Sequence, residues 1–174
     1  QGKTIIWRGL PRVGKRPAEL KYDPVKCAVE AANLWNEQPH YGEEWFVPFN
    51  ELDLNYERGD NENDFDNQQE RFNDLAMFLD KVSAALRKIL PKDTKILFPP
   101  FTPDHGDIEY VTEWDYAVGS YDGLVVHAYE DAERMRERIL WYLREFPDKP
   151  IYIGEWNGPD QASILAMLKE LEET

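Results

Sequence analysis

Two carboxylates stand where short apolar runs end. Glu51 closes Trp45-Phe46-Val47-Pro48-Phe49-Asn50-Glu51, and Glu155 closes Pro150-Ile151-Tyr152-Ile153-Gly154-Glu155. Apolar runs this short, bounded by polar residues, read as buried strands rather than helices. Two rigidly held carboxylates are the minimum for cutting a glycosidic bond. One protonates the leaving oxygen while the other attacks or positions water. Other polar side chains sit at strand ends too. Arg8 follows Thr4-Ile5-Ile6-Trp7, Asn50 precedes Glu51, and His127 with Tyr129 closes Gly123-Leu124-Val125-Val126-His127-Ala128-Tyr129. Only the predicted third strand, Lys95 to Phe98, ends without such a group.

The elements that must position these groups alternate. After the first strand, Asp23-Pro24 reads as an N-cap with Pro at the first helical position. The helix it opens is expected from Pro24 to about Asn36, with Val25, Ala28, Val29, Ala32 and Trp35 on the inner face. The second strand is expected from Trp45 to Glu51. Asp53 to Asp66 is acidic, rich in Asn and read as loop. Phe72, Leu75, Leu79, Val82, Leu86 and Ile89 then recur at steps of three and four, the signature of an amphipathic helix. Pro91 stops it, and the third strand follows. Val111 to Val118 is expected to hold a short helix, and Gly123 to Tyr129 the fourth strand. Ala132, Met135, Ile139, Tyr142 and Phe146 mark the next helix. Pro150 to Glu155 is the fifth strand, and Ser163 to Glu172 the last helix, with Ile164, Leu168 and Leu171 inward. Strand and helix thus alternate five times, which implies an α/β fold with a parallel sheet and helical crossovers. The near-continuous apolar strands suit a sheet buried on both faces. In such folds chemistry gathers at the C-terminal ends of the strands.

Composition narrows the partners. The 174 residues fit one domain, residues 1–174, and no linker or repeat divides them. A formal charge of −14 argues against nucleic acid and against an anionic membrane surface. No apolar run approaches the ~20 residues of a membrane-spanning helix. Gln1-Gly2-Lys3 does not open a signal peptide, which leaves a cytoplasmic protein or an exported one with its signal removed. The single Cys27 reads as a small apolar filler on a helix face. Six Trp, nine Tyr and eight Phe suit either a well-filled core or a surface on which sugars stack. Three His with no His-x-x-x-His or Cys-x-x-Cys spacing supply no metal motif, and there is no Gly-rich phosphate loop. No cofactor or metal is expected.

The ordered set Asn50-Glu51, His127-Ala128-Tyr129 and Ile151-Tyr152-Ile153-Gly154-Glu155-Trp156 resembles the large clan of retaining (β/α)8-barrel glycosidases, often called clan A. In that clan an Asn-Glu pair ends the fourth strand, a His-x-Tyr pair lies on the sixth and a nucleophilic Glu ends the seventh. Here the two Glu are 104 residues apart with two predicted strands between them, as that pattern requires. The resemblance covers Thr4 to Trp156. It implies Glu51 as general acid and then base, and Glu155 as nucleophile. Asn50 would bind the sugar 2-hydroxyl, Tyr129 would donate to Glu155, and His127 would touch substrate or Glu51. Arg8 would lie near the nucleophile, and Trp156 or Trp114 would stack on sugar or fill the core. The implied substrate is an oligo- or polysaccharide.

The clan's barrel has eight units, and five are found here, matching units three to seven. A full barrel takes about 250 residues. The expectation is therefore a TIM-barrel-like parallel sheet that is partial or reduced. It would be a fragment of a longer barrel, a partly open one, or one of two chains that pair to cover the edges. An open sheet would also expose one apolar face. The competing function is a catalytically degenerate relative that binds carbohydrate or a protein partner.

Overall fold

The computed structural model describes residues 5–8, 23–40, 44–52, 68–101, 115–156 and 161–172. In chain order these form β1 (Ile5–Arg8), α1 (Pro24–Asn36), β2 (Glu44–Val47), α2 (Gln68–Ile89), β3 (Lys95–Phe98), α3 (Asp115–Gly119), β4 (Gly123–Ala128), α4 (Ala132–Glu145), β5 (Ile151–Trp156) and α5 (Gln161–Glu172). Asp23 caps α1 by accepting from the amides of Val25 and Lys26 at 3.0 and 3.2 Å, with Pro24 at the first position. Asp131 caps α4 in the same way, accepting from the Arg134 amide at 3.0 Å.

The five strands form one sheet in the order β1-β2-β3-β4-β5, and every neighbouring pair is parallel. It is an α/β fold with helices between the strands, curled into a half-barrel. Two contacts measure the curl. Neighbouring strands lie ~4.8 Å apart, so a flat sheet would separate β1 from β5 by about 19 Å. Instead Arg8 on β1 pairs with Glu155 on β5. On the concave face the Trp45 ring of β2 lies 5.2 Å from the Tyr152 ring of β5. A flat sheet would hold those strands about 14 Å apart.

The main core lies between the convex face and the helices. Phe46, Ile96, Phe98, Leu124 and Val126 meet Cys27, Ala28, Leu75, Leu79, Val82 and Leu86 there. A smaller cluster of Trp45, Val47, Leu97 and Val125 lines the concave face. The open sheet was expected to expose that face, yet all four are buried, because the curl folds the face upon itself.

Several expected boundaries and faces shift. The hydrogen-bonded part of β2 ends at Val47, since Pro48 has no N–H for the ladder, and Asn50 and Glu51 lie just beyond it. On α1 the inner face comprises Cys27, Ala28, Ala31, Ala32 and Trp35, while Val25 is 57% exposed. The small residues let α1 approach its neighbour α2 closely, and that rotates the two valines outward. Ile89 is exposed and Leu90 is buried instead. α3 begins at Asp115, and residues 111–114, including Trp114, lie outside the described residues. So does the acidic stretch 53–66. α5 starts two residues early and turns Met167 inward, with Leu168 half-buried. The side chains of Ile164 and Leu171 lie outside the described set. Cys27 is buried, and burial, then the charge of Asp23, pushes its thiol up to about 12. That agrees with a packing role rather than a reactive one.

Candidate active site

The strand ends converge on one hydrogen-bonded circuit. Arg8 leaves β1 with its Nη1 donating to Glu155 Oε1 and its Nη2 donating to Asn50 Oδ1. With Oδ1 thus occupied, the Asn50 amide turns Nδ2 toward Glu51 Oε2 at 3.3 Å. Glu51 Oε1 lies 2.7 Å from His127 Nδ1 and 3.4 Å from the Tyr129 hydroxyl. That hydroxyl donates to Glu155 Oε2 at 2.5 Å and closes the circuit. The structure therefore brings together Arg8, Asn50, Glu51, His127, Tyr129 and Glu155. Trp156 has its backbone in β5, paired with Ala128, and its side chain lies outside the described residues.

The two carboxylates are close. Both bond the Tyr129 hydroxyl, so Glu51 Oε1 and Glu155 Oε2 cannot be further apart than the 3.4 and 2.5 Å legs together, about 5.9 Å. Their surroundings differ. The Glu51 side chain is 10% exposed and the Glu155 side chain 37%. Glu51 also has a positive φ of 26°, the one non-glycine case among the described residues. A left-handed backbone at a glutamate costs stability and persists only where its surroundings hold it. Here Phe49 and Leu52 are buried on either side, and His127 grips the carboxylate.

Glu155 reaches the concave face through a bulge. On β4, Leu124 and Val126 face the main core and Val125 the concave cluster, so His127 falls on the concave side. On β5, Ile151 and Ile153 face the main core and Tyr152 the concave side. Strict alternation would send Glu155 toward the helices. The register instead steps from Val126 opposite Ile153 to His127 opposite Glu155, leaving Gly154 as the extra residue. This bulge returns Glu155 to the site. Glycine is required there: a Cβ at position 154 would lie 2.4 Å from Val125 Cγ1 and 3.2 Å from His127 Nε2. A glycine inside a strand run is the sequence signal for such a bulge; the geometric role of Gly154 was missed.

Burial lowers the His127 pKa, and its contacts with Glu51 and Glu155 only partly oppose that. The imidazole is accordingly neutral at pH 7. It holds its proton on Nδ1 and donates it to Glu51. Its Nε2 is buried with no hydrogen-bond partner among the described residues, 4.0 Å from Glu155 Oε1. For Glu155, partial burial works to raise the pKa. Hydrogen bonds from Tyr129 and Arg8 and the charge of Arg8 outweigh it and hold the carboxyl below its ordinary value. Burial and the neighbouring carboxylates push the Tyr129 phenol well above its ordinary range, so it stays a donor.

Among the described residues no three His, Cys, Asp or Glu side chains could hold a metal ion, and no helix is long and apolar enough to cross a membrane. A cavity of about 440 Å³ opens elsewhere, lined by Trp35, His40, Glu44 and Thr94 near the N-terminal ends of β2 and β3. It shares no residue with the circuit. No protein-family model matches the chain, and no curated protein is similar to it in sequence.

Proposed function

We propose that this site belongs to a retaining glycoside hydrolase acting on an oligo- or polysaccharide. The observation that carries the reading is the Glu51–Glu155 pair, joined through one tyrosine hydroxyl within about 5.9 Å. Carboxyl pairs ~5–5.5 Å apart serve retention, and pairs ~6.5–9.5 Å apart leave room for the water of inversion. Glu155, held ionised, is the nucleophile. Its oxygen bonds to the anomeric carbon as the bond to the leaving oxygen breaks. Glu51 gives that oxygen its proton. In the second step Glu51 takes a proton from water, the water oxygen bonds to the anomeric carbon, and Glu155 leaves as a carboxylate.

The test is trapping with 2-deoxy-2-fluoro glycosides carrying dinitrophenyl leaving groups, read by mass spectrometry, with two variants beside it. Label on Glu155 supports the hydrolase. Glu155→Gln then abolishes turnover of every glycoside. Glu51→Gln costs ~10²–10⁴-fold on poor leaving groups and little on dinitrophenolate, which needs no proton. Equal losses in both variants on activated substrates would reject these roles. The five strands of the described residues, short of a closed barrel, favour the second reading, a barrel relative that binds carbohydrate without cutting it. Glycan binding with no label at Glu155 would select it.

A further inference from the structure

Tyr129 has one hydroxyl proton and three polar atoms in reach: Glu155 Oε2 at 2.5 Å, His127 Nδ1 at 3.2 Å and Glu51 Oε1 at 3.4 Å. His127 is no rival for the proton, because its Nδ1–H is already directed at Glu51. The choice is therefore between the two carboxylates. It is decided by which of them carries charge, since a hydrogen bond to an anion is roughly twice as strong as one to a neutral oxygen. We infer that Tyr129 is a switch: its hydroxyl proton follows the negative charge from Glu155 to Glu51 and back during one turnover. The inference rests on the hydrolase reading and adds to it a moving part.

The charge moves in each half-reaction. The hydrolase reading makes Glu155 the anion before attack and Glu51 the proton donor, through Oε2, the oxygen that His127 does not bond. When the bond from Glu155 to the anomeric carbon forms, position 155 becomes a neutral ester. The leaving oxygen takes the proton from Glu51, which becomes the anion. Turning the Tyr129 O–H about its C–O bond redirects the proton to Glu51 Oε1, and a small contraction completes the bond. When water adds, Glu51 recovers a proton, Glu155 departs with the electron pair, and the hydroxyl turns back. Each anion thus meets a donor in place, without waiting for solvent to reorganise. Neither Arg8 nor His127 can do this. Arg8 is bound to Glu155 and Asn50 together, and the buried His127 Nε2 lies 4.0 Å from Glu155 Oε1, beyond hydrogen-bond reach.

The prediction can be read without a substrate. Glu155→Gln removes the charge from position 155 permanently, and Glu155→Ala gives the same readout should the amide disturb folding. In a crystal structure of either variant at pH 8, the distance from the Tyr129 hydroxyl to Glu51 Oε1 should contract from 3.4 Å to about 2.7 Å. Glu51→Gln is the reciprocal control and should leave Tyr129 on Glu155. Any other arrangement in the Glu155 variants, with Tyr129 still on residue 155 or turned to solvent, overturns the switch. Fluoroglycoside labelling of the native chain judges the parent reading separately. Label without contraction overturns the switch and keeps the hydrolase. Contraction without label overturns the hydrolase, and with it the part assigned to Tyr129 in turnover.

Discussion

The two ends of the sheet use polar side chains in opposite ways. At the N-terminal end, side chains bond mostly to backbone. Arg87 donates to the Thr94 and Ser120 carbonyls at 3.2 and 3.3 Å and to Asp122 Oδ2 at 2.7 Å. Asp122 in turn accepts the Ile96 amide at 2.8 Å. Lys149 donates to the Tyr121 carbonyl, Ser83 to the Ser120 carbonyl and the Tyr121 hydroxyl to the Leu79 carbonyl. At the C-terminal end the bonds run from side chain to side chain. They hold two carboxyl groups together, leave a buried His127 Nε2 unpaired among the described residues and keep Glu51 at a positive φ. The first arrangement staples β3, β4 and β5 at their starts. The second accepts backbone strain and holds two carboxyl groups side by side, which a staple avoids.

That contrast can be broken by moving the site without touching the staples. Gly154→Ala puts a methyl group against Val125 and His127. Val is stiff about χ1 and cannot yield easily, so the bulge that aims Glu155 must shift. For the proposed hydrolase, turnover should fall by about 10²-fold or more, since a misplacement of ~1 Å costs that much, while stability falls by only ~1–3 kcal/mol. Turnover within threefold of the native chain would show that the bulge does not position Glu155.

The reverse experiment strikes the staple. Asp122→Ala leaves the Ile96 amide and Arg87 without this acceptor. Arg87 is exposed enough to be hydrated, so the amide carries most of the cost, about 1–3 kcal/mol. For a chain of this size that lowers Tm by about 2–4 °C per kcal/mol. Turnover below the transition should change by less than about twofold. A large loss of turnover at full folding would mean that the two ends are coupled.

The smallest effect is a pH dependence confined to the site. His127 has its pKa lowered by burial, so the unfolded chain takes up the proton first as pH falls. Its contribution is fully present above the ordinary ~6.5 and is lost as pH drops from there toward the folded value, by at most about 1.4 kcal/mol per pH unit. The lowered Glu155 acts with the same sign at lower pH: its contribution is present above the ordinary carboxylate value and is lost as pH falls through the folded one. The Tm difference between the native chain and His127→Gln should therefore shrink between pH 7.5 and 5. A constant difference would assign His127 no part in acid sensitivity.

Strand and helix order, the cap at Asp23 and the polar groups at the strand ends were determined by the amino-acid sequence alone. Each is a local property: apolar runs, periodicity and capping act over a few residues. The parallel order of five strands followed from their alternation with helices. What only the tertiary structure decided is non-local. The valines of α1 face outward because small residues pack against α2. Glu155 points into the site because β5 gains one residue against β4 at Gly154. Arg8 meets Glu155 because the curl brings the first and last strands together. Register, curvature and facing depend on how side chains distant in the chain fill space together, and no window of neighbouring residues contains that information.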